Sequence, residues 1–440
     1  MGRLTQTLPM PTVQMGRRTF LQAGALGLGQ LTLADWLRRS AVAENQNREQ
    51  TAVIQIYLGG GPSHLDMYDL KPNAPSEIRG EFRPIATNVP SLQICEHLPN
   101  LAGVMDHFSI VRTVQHENPG HLPASHWMMT GFQPPANSSA NVNPSLGSVV
   151  SRLRGPNDPS MPAYVSIPRR QLLGASAFLG SAHNPFTPES DPSKKEFQVV
   201  NLNMPSGMSV PRLEDRQGLL KSLDRFRAAA DGNAEGIDKF SSQAMEMVTS
   251  GRAQTAFDLN AEDPKVREKY GPYSAGQGCL LARRLVEAGV TLVTVLAGAE
   301  WDTHVNNFSI LKNDSLPRID RAIAALVSDL RERSLDRRVM VIAYGEFGRT
   351  PQINRDAGRD HWPGTSCVLF AGGGLKVGQM VGQTDSRGAF PITKSYSPGD
   401  VLSTVYQHLK IDPRYEFHDH NLQRATRVLP EGTPIAELIG

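Results

Sequence analysis

Two short apolar runs restrict what this chain can fold into: Val339 to Ala343 (VMVIA) and Ser366 to Ala371 (SCVLFA). Neither alternates polar with apolar, so each reads as a strand buried on both faces, the habit of parallel sheets packed between helices. The first run ends in a turn that presents Glu346. A loop rich in Arg, Asp and Gly then carries Asp360 and His361 into the second run, which three glycines stop. Ligands of open α/β sheets gather outside the carboxyl ends of the strands. Glu346, Asp360 and His361 are therefore candidate site residues.

Further strands are expected at Thr51 to Leu58, Phe108 to Val114, Ala163 to Ile167 and Val290 to Leu296. Helical periodicity marks Leu98 to Asp106, Pro123 to Met129, Ser145 to Leu153, Gly278 to Ala288, Asp314 to Arg333 and Pro398 to Leu409. The alternation predicts a three-layer α/β/α sandwich around a mostly parallel sheet, one domain over 50–440. An irregular and helical insertion is expected at about 169–270, and a hairpin at LKVGQMVGQTD after Gly374. Polar clusters follow the strands beginning near 51, 108, 290, 339 and 366, which argues for one shared site.

Each cluster offers particular chemistry. The first strand runs into Gly59-Gly60-Gly61-Pro62-Ser63-His64-Leu65-Asp66, with no Gly-Lys-Ser/Thr to make a phosphate loop. Its glycines suit a tight turn at positive φ, and Asp66 or Asp69 is a ligand or a turn residue. In HENPGHLPASHWMMTG, His121 precedes a helix near its positive end, where an oxyanion is favoured. Ser125 lies on that helix, as does His126. In AGAEWDTHVNN, Asp302 and His304 are two apart, so in an extended segment both side chains can meet one metal.

Composition excludes several classes. Among 440 residues the net charge is +2 and no basic stripe occurs, which argues against a nucleic-acid partner. Cys95, Cys279 and Cys367 lie far apart, so neither a zinc ribbon nor a dense disulfide framework is expected, and buried free thiols are. Arg17-Arg18-Thr19-Phe20-Leu21 matches a twin-arginine export signal, followed by a short apolar run and Ala41-Val42-Ala43 for cleavage. Residues 1–43 are thus expected to engage the twin-arginine translocase, with translation starting at Met1 or Met15. The mature protein, without a membrane span, is expected in the periplasm or outside the cell.

Taken in order, GGGPSHLDMYDLKP, HWMMTG, WDTH, GEFGRTP, DHWPG and DVLSTVYQHLKIDP make the chain resemble the bacterial family called domain of unknown function 1501. That family is placed in the alkaline-phosphatase and sulfatase superfamily. The resemblance implies a nucleophile beside one or two divalent metals, acting on phosphate or sulfate esters. Sulfatases carry Cys-x-Pro-Ser-Arg ten residues before Thr-Gly; here that spacing before Gly131 gives His121-Leu122-Pro123-Ala124-Ser125, so formylglycine chemistry is excluded. The superfamily's first metal-binding Asp falls near Gly59 or Gly60 and leaves Asp66 as a substitute. Its later Asp-His is matched by Glu346-Phe347, its earlier Asp and His by Asp302 and His304, and its last His by His361.

The implied metal set is Asp302, His304 and His361 with Asp66, Glu346 or Asp360. Mixed nitrogen and oxygen donors suit zinc or manganese. Catalysis falls either to water activated at an open position on the metal or to His121 as nucleophile. Arg349 is the candidate for holding the ester's anionic oxygens, or else pairs with Asp356 or Asp360. The expectation is an exported metal-dependent hydrolase of phosphate or sulfate esters, including those on polysaccharides. The alternative is a non-catalytic protein that binds an anionic glycan or partner on the same scaffold.

Overall fold

The computed structural model describes residues 50–135, 140–199, 202, 243–419 and 424–439. The export signal with Arg17 and Arg18, and the periodic stretch 212–231, lie outside the described residues. The principal elements are β1 (Ala52–Tyr57), β2 (Phe108–Val114), α1 (His121–Thr130), α2 (Leu146–Leu153), β3 (Tyr164–Ile167) and α3 (Ser274–Ala288). They continue with β4 (Leu292–Leu296), α4 (Leu316–Glu332), β5 (Val339–Tyr344), β6 (Ser366–Gly372), β7 (Gln379–Val381) and α5 (Pro398–His408).

Local chemistry sets the helix ends. Ser397 and Asp400 form a reciprocal capping box around Pro398 at the start of α5. Gly131 (φ +80°) ends α1 and Gly289 (φ +116°) ends α3, both in conformations that glycine adopts without strain. The helix expected over Leu98 to Asp106 splits into Pro99–Ala102 and a 3-10 turn at Met105–His107. All three cysteines are buried and free; burial pushes the Cys95 and Cys279 thiols up to about 12.

Seven strands form one sheet in the order β7-β2-β6-β5-β1-β4-β3. Every residue of β1 is buried, and its side chains alternate between two cores. Val53 and Tyr57 pack with Met128 and Met129 of α1, Val149 of α2 and Val405 of α5. Ile54 and Ile56 join Leu281 of α3 and Ile323 of α4 on the other face. The result is the expected α/β/α sandwich, with helices on both faces of a mostly parallel sheet. Each fully buried Val, Leu or Ile contributes roughly 1.5–3 kcal/mol, so most of the stability resides in these two layers. No described helix is long and apolar enough to cross a membrane.

Two expectations about topology change. β6 runs antiparallel to both β5 and β2, so Gly372 emerges at the edge opposite the other strands' carboxyl ends. The polar cluster that shares the common edge is the one before Ser366, not one after Ala371. The hairpin also moves. β7 lies parallel to β2 at the sheet's end, and the reversal follows it, where Asp385 N–H donates to Phe390 O and Ile392 N–H to Gln383 O, both at 2.9 Å.

Asp66 is fully buried and is consumed by the fold. Arg359 donates to it through Nε (2.8 Å) and Nη2 (3.0 Å), Ser63 Oγ at 2.6 Å and Asn307 Nδ2 at 2.9 Å. This cluster ties the turn after β1 to the loop entering β6. Asp66, expected as a metal ligand, is therefore not available to one.

Two predictions follow from burial. Replacing Asp66 by Ala leaves the Arg359 guanidinium buried without its counterion and should cost about 3–5 kcal/mol in urea unfolding; an unchanged midpoint would show that the pair does not hold the loops. His64 donates from Nε2 to Gly388 O, His126 bridges Phe132 O and Val142 N, and burial lowers the pKa of both imidazoles. The unfolded chain then takes up more protons than the folded one. Their contribution is complete above about pH 6.5, the unfolded value, and is lost as pH falls toward the depressed folded values. The urea midpoint should accordingly drop between about pH 7.5 and about pH 5.5, with proton uptake on unfolding measured by calorimetry in buffers of different ionisation enthalpy.

Candidate metal centre

Loops from four strands meet at the carboxyl edge. Gly60 and Gly61 follow β1, His121 opens α1 after β2, and Asp302 and His304 follow β4; Glu346 and Phe347 follow β5, whose loop returns through His361 into β6. Gly60 makes this closure possible. At φ +122° a Cβ there would lie 2.7 Å from the Asp302 nitrogen, so only glycine lets the two loops touch.

Asp302 is the centre of the cluster. His121 Nε2 lies 3.1 Å from its Oδ2. His361 Nε2 and His304 Nε2 each lie 3.1 Å from its Oδ1. The two nitrogens His304 Nε2 and His361 Nε2 face each other at 2.9 Å. One ligand atom from each of His121, Asp302 and His361 falls within 4.8 Å of the others.

The far side of each ring decides what these nitrogens carry. His121 Nδ1 meets Glu346 Oε1 at 2.6 Å, His304 Nδ1 meets Asp360 Oδ1 at 2.7 Å, and His361 Nδ1 meets the Pro119 carbonyl at 2.7 Å. All three partners are acceptors, so each Nδ1 holds a hydrogen; each inward Nε2 faces the Asp302 carboxylate, to which it donates a hydrogen unless a cation takes that hydrogen's place. Carboxylates and carbonyls behind metal-binding histidines fix tautomer and ring orientation in this way. Phe347 packs against the rings of His121 and His361, with centroids 5.1 and 4.5 Å away.

Charge is concentrated on Asp302. Burial works against ionising Asp302, but hydrogen bonds from Arg349 and His361 outweigh it and hold the carboxyl well below the usual range. Burial lowers the His361 pKa. The hydrogen bond to Glu346 raises that of His121, against a smaller effect of burial. Only one hydrogen can lie between His304 Nε2 and His361 Nε2 at 2.9 Å, and a cation among the nitrogens and the carboxylate would replace the inward hydrogens. Three nitrogens and an oxygen are donors that first-row ions such as zinc accept.

Several residues take places other than those expected. Glu346 and Asp360 stand behind imidazoles and do not face the centre. Glu346 also accepts from Gly60 N–H (2.9 Å) and from the Tyr57 hydroxyl (3.1 Å). His121, one of the two alternatives for catalysis, stands within the candidate ligand group. Ser125 is buried, its Oγ sharing a 2.6 Å hydrogen bond with Tyr57. Arg349 is fully buried and cannot reach an ester; it donates to the carbonyls of Gly60, Gly61, Trp301 and Arg359 and to Asp302. The ion pair that engages it is Asp302, not Asp356 or Asp360. Sequence reasoning passes over Tyr57, although its place as the last residue of β1 puts it at the functional edge.

Solved structures of similar shape include the PsFucS1 sulfatase from Pseudoalteromonas sp., at 10% identity and TM-score 0.39, covering 84% of this chain and 70% of that one. A mutant TAB5 alkaline phosphatase with magnesium bound matches at 11% identity and TM-score 0.37, over 83% and 100% of the two chains. A phosphonate monoester hydrolase from Silicibacter pomeroyi matches at 10% and 0.32, over 83% and 74%. Likeness this slight decides nothing about chemistry. No curated protein matches the chain in sequence. The sequence model of one family, described as "Protein of unknown function (DUF1501)", covers residues 50–439, and the chain belongs to that family.

Proposed function

We propose that this protein is a metal-dependent hydrolase of phosphate or sulfate esters, exported by the twin-arginine route, with zinc or manganese held by His121, Asp302, His304 and His361. The observation that carries the proposal is the convergence of three Nε2 nitrogens on one carboxylate, each ring fixed from behind by an acceptor. A divalent ion in such a set supplies Lewis acidity toward an ester oxygen and lowers the pKa of water.

The protein's own groups do the rest. Arg349 keeps Asp302 ionised at every working pH, so the anionic donor needs no deprotonation. Glu346 holds the Nδ1 hydrogen of His121 and, with Gly60 N–H, stops that ring from turning. Asp360 does the same for His304, and Asn354 Nδ2 lies 3.3 Å from Asp360 Oδ1. His121 is the first residue of α1, whose N-cap, Gly120, has no capping side chain. The open N–H groups of that first turn favour negative charge on a substrate oxygen. With Arg349 committed to the interior, this helix end takes the role first assigned to the guanidinium.

The protein isolated from its native compartment should hold zinc or manganese at near-stoichiometric level by elemental analysis. Asp302→Asn and His361→Ala should lose it, and Glu346→Gln should weaken it about 10- to 100-fold. Hydrolysis of an aryl phosphate or aryl sulfate should disappear on chelation and return with the metal; full turnover after exhaustive chelation sinks the proposal. Export has its own check. The double change Arg17→Lys with Arg18→Lys should leave the precursor in the cytoplasmic fraction, and undiminished export would remove the twin-arginine part.

A further inference from the structure

We infer that His116 is a positioning residue that sets the spacing of the candidate metal centre; its effect on a metal rests on the reading above, its geometry on hydrogen bonds alone. His116 stands outside the group of candidate ligands, in the loop that leads from β2 to His121 at the start of α1. It is buried, and its two ring nitrogens have partners that allow only one form. Nε2 lies 2.5 Å from the Glu346 carbonyl, which can only accept, so Nε2 holds a hydrogen. The Asn118 N–H donates to Nδ1 at 3.2 Å, so Nδ1 is bare. His116 is thus neutral, and burial, which lowers its pKa, favours that form. The arrangement reverses that of His121, His304 and His361, whose Nδ1 atoms each hold a hydrogen.

These bonds make His116 a junction of three segments. The loop from β2 to α1 grips the turn after β5 twice. His116 holds the Glu346 carbonyl, and His121 Nδ1 meets the carboxylate of the same residue at 2.6 Å. It grips the segment entering β6 twice as well. His116 N–H donates to Pro363 O at 3.1 Å, and Pro119 O accepts from His361 Nδ1 at 2.7 Å. His116 also shapes the loop between those grips: Asn118 N–H is held by Nδ1, and Asn118 Oδ1 accepts from Gly120 N–H at 3.0 Å. That turn decides where Pro119 O and the first residue of α1 lie. The Trp127 ring of α1, with its centroid 5.6 Å from that of the imidazole, packs beside it.

The two tasks demand a histidine. The near atom of the side chain must accept from the N–H of Asn118, and the far atom must donate to another loop. An Asn amide reaches the first place and stops short of the second; a Gln amide reaches the second and offers no near acceptor. The consequence for the centre is one of tolerance. A working set of ligands must be held within about 0.5 Å of its geometry, and His121 and His361 face Asp302 from the two segments that His116 joins. A side chain that makes neither bond releases the turn at Pro119, and the His361 ring loses the acceptor that fixes it.

The test compares the unaltered protein with His116→Leu, His116→Asn and His116→Gln. In metal-free protein, proton–nitrogen correlation spectra of histidine-labelled samples should show His116 with its hydrogen on Nε2; a hydrogen on Nδ1 instead overturns the inference. The Nδ1 proton of His361 should be protected from solvent exchange in the unaltered protein and lose that protection in His116→Leu. Zinc affinity, measured by competition with a chelator, should fall about 10- to 100-fold in His116→Leu. It should fall less in His116→Asn and His116→Gln, each of which keeps one bond, and these two carry the comparison if the leucine variant does not fold. Leu281→Ala, in the core beneath α3, controls for lost stability and should leave both readings unchanged. Undiminished protection of the His361 proton, or undiminished zinc affinity, in the His116 variants overturns the positioning role. Failure of the unaltered protein to bind zinc strikes the metal reading alone, because the His361 proton still reports whether His116 holds the loop.

Discussion

A buried guanidinium holds the functional edge of this protein together. Arg349 has no exposed surface, and its donors engage two glycine carbonyls after β1, the Trp301 carbonyl after β4, the Arg359 carbonyl before β6 and the carboxylate of Asp302. Burying that charge costs several kcal/mol unless it is paired and its hydrogen bonds are satisfied. The loops therefore cannot separate without leaving it unpaired. The cation also fixes the state of Asp302, around which three imidazoles are arranged. One side chain thus supports the closure of the loops and the charge of the centre they form.

A second buried pair works alongside it. Arg359 and Asp66 are both fully buried and pinned by further hydrogen bonds to Ile78 O, Ser63 and Asn307. Between them, the two arginines fasten the segment from Gly345 to Thr365 to the rest of the edge. That segment carries Glu346, Asp360 and His361. Its length follows from topology: the chain leaves β5 and re-enters the sheet in the adjacent, antiparallel β6 from the same edge. A parallel β6 would have required a crossover to the far edge, carrying His361 away from the candidate metal centre.

The three imidazoles of the candidate centre are fixed because their outer atoms are occupied. Glu346, Asp360 and the Pro119 carbonyl each take one imidazole hydrogen, so the inner nitrogens are presented rather than merely nearby. Tyr57 and Ser125 extend the Glu346 support into the interior. Distances of 2.6–2.7 Å behind the rings and 2.9–3.1 Å in front leave little rotational freedom. Such preorganisation is what a metal centre requires to hold an ion in an open geometry.

The sequence by itself determined the layers, the central strands and the list of polar residues from which the centre is built. Apolar runs that lack alternation demand burial on both faces, and that demand is local to each run. Thus β1, β2, β4, β5 and β6 fall where their composition places them, and Asp302, His304 and His361 are marked by chemistry and position. Only the tertiary structure decided direction and partnership. A doubly buried strand reads the same whichever way it runs, so β6 gives no local sign of being antiparallel. Nor does an arginine or a carboxylate announce whether it will face a substrate or the interior. Arg349 and Asp66 became internal supports and Glu346 stands behind His121, because the closing loops desolvated them and burial required partners, while Asp360, still exposed, backs His304. His121 stands among the candidate metal ligands because α1 begins where its ring can span Glu346 and Asp302, a distance set by packing across the sheet and absent from any local pattern.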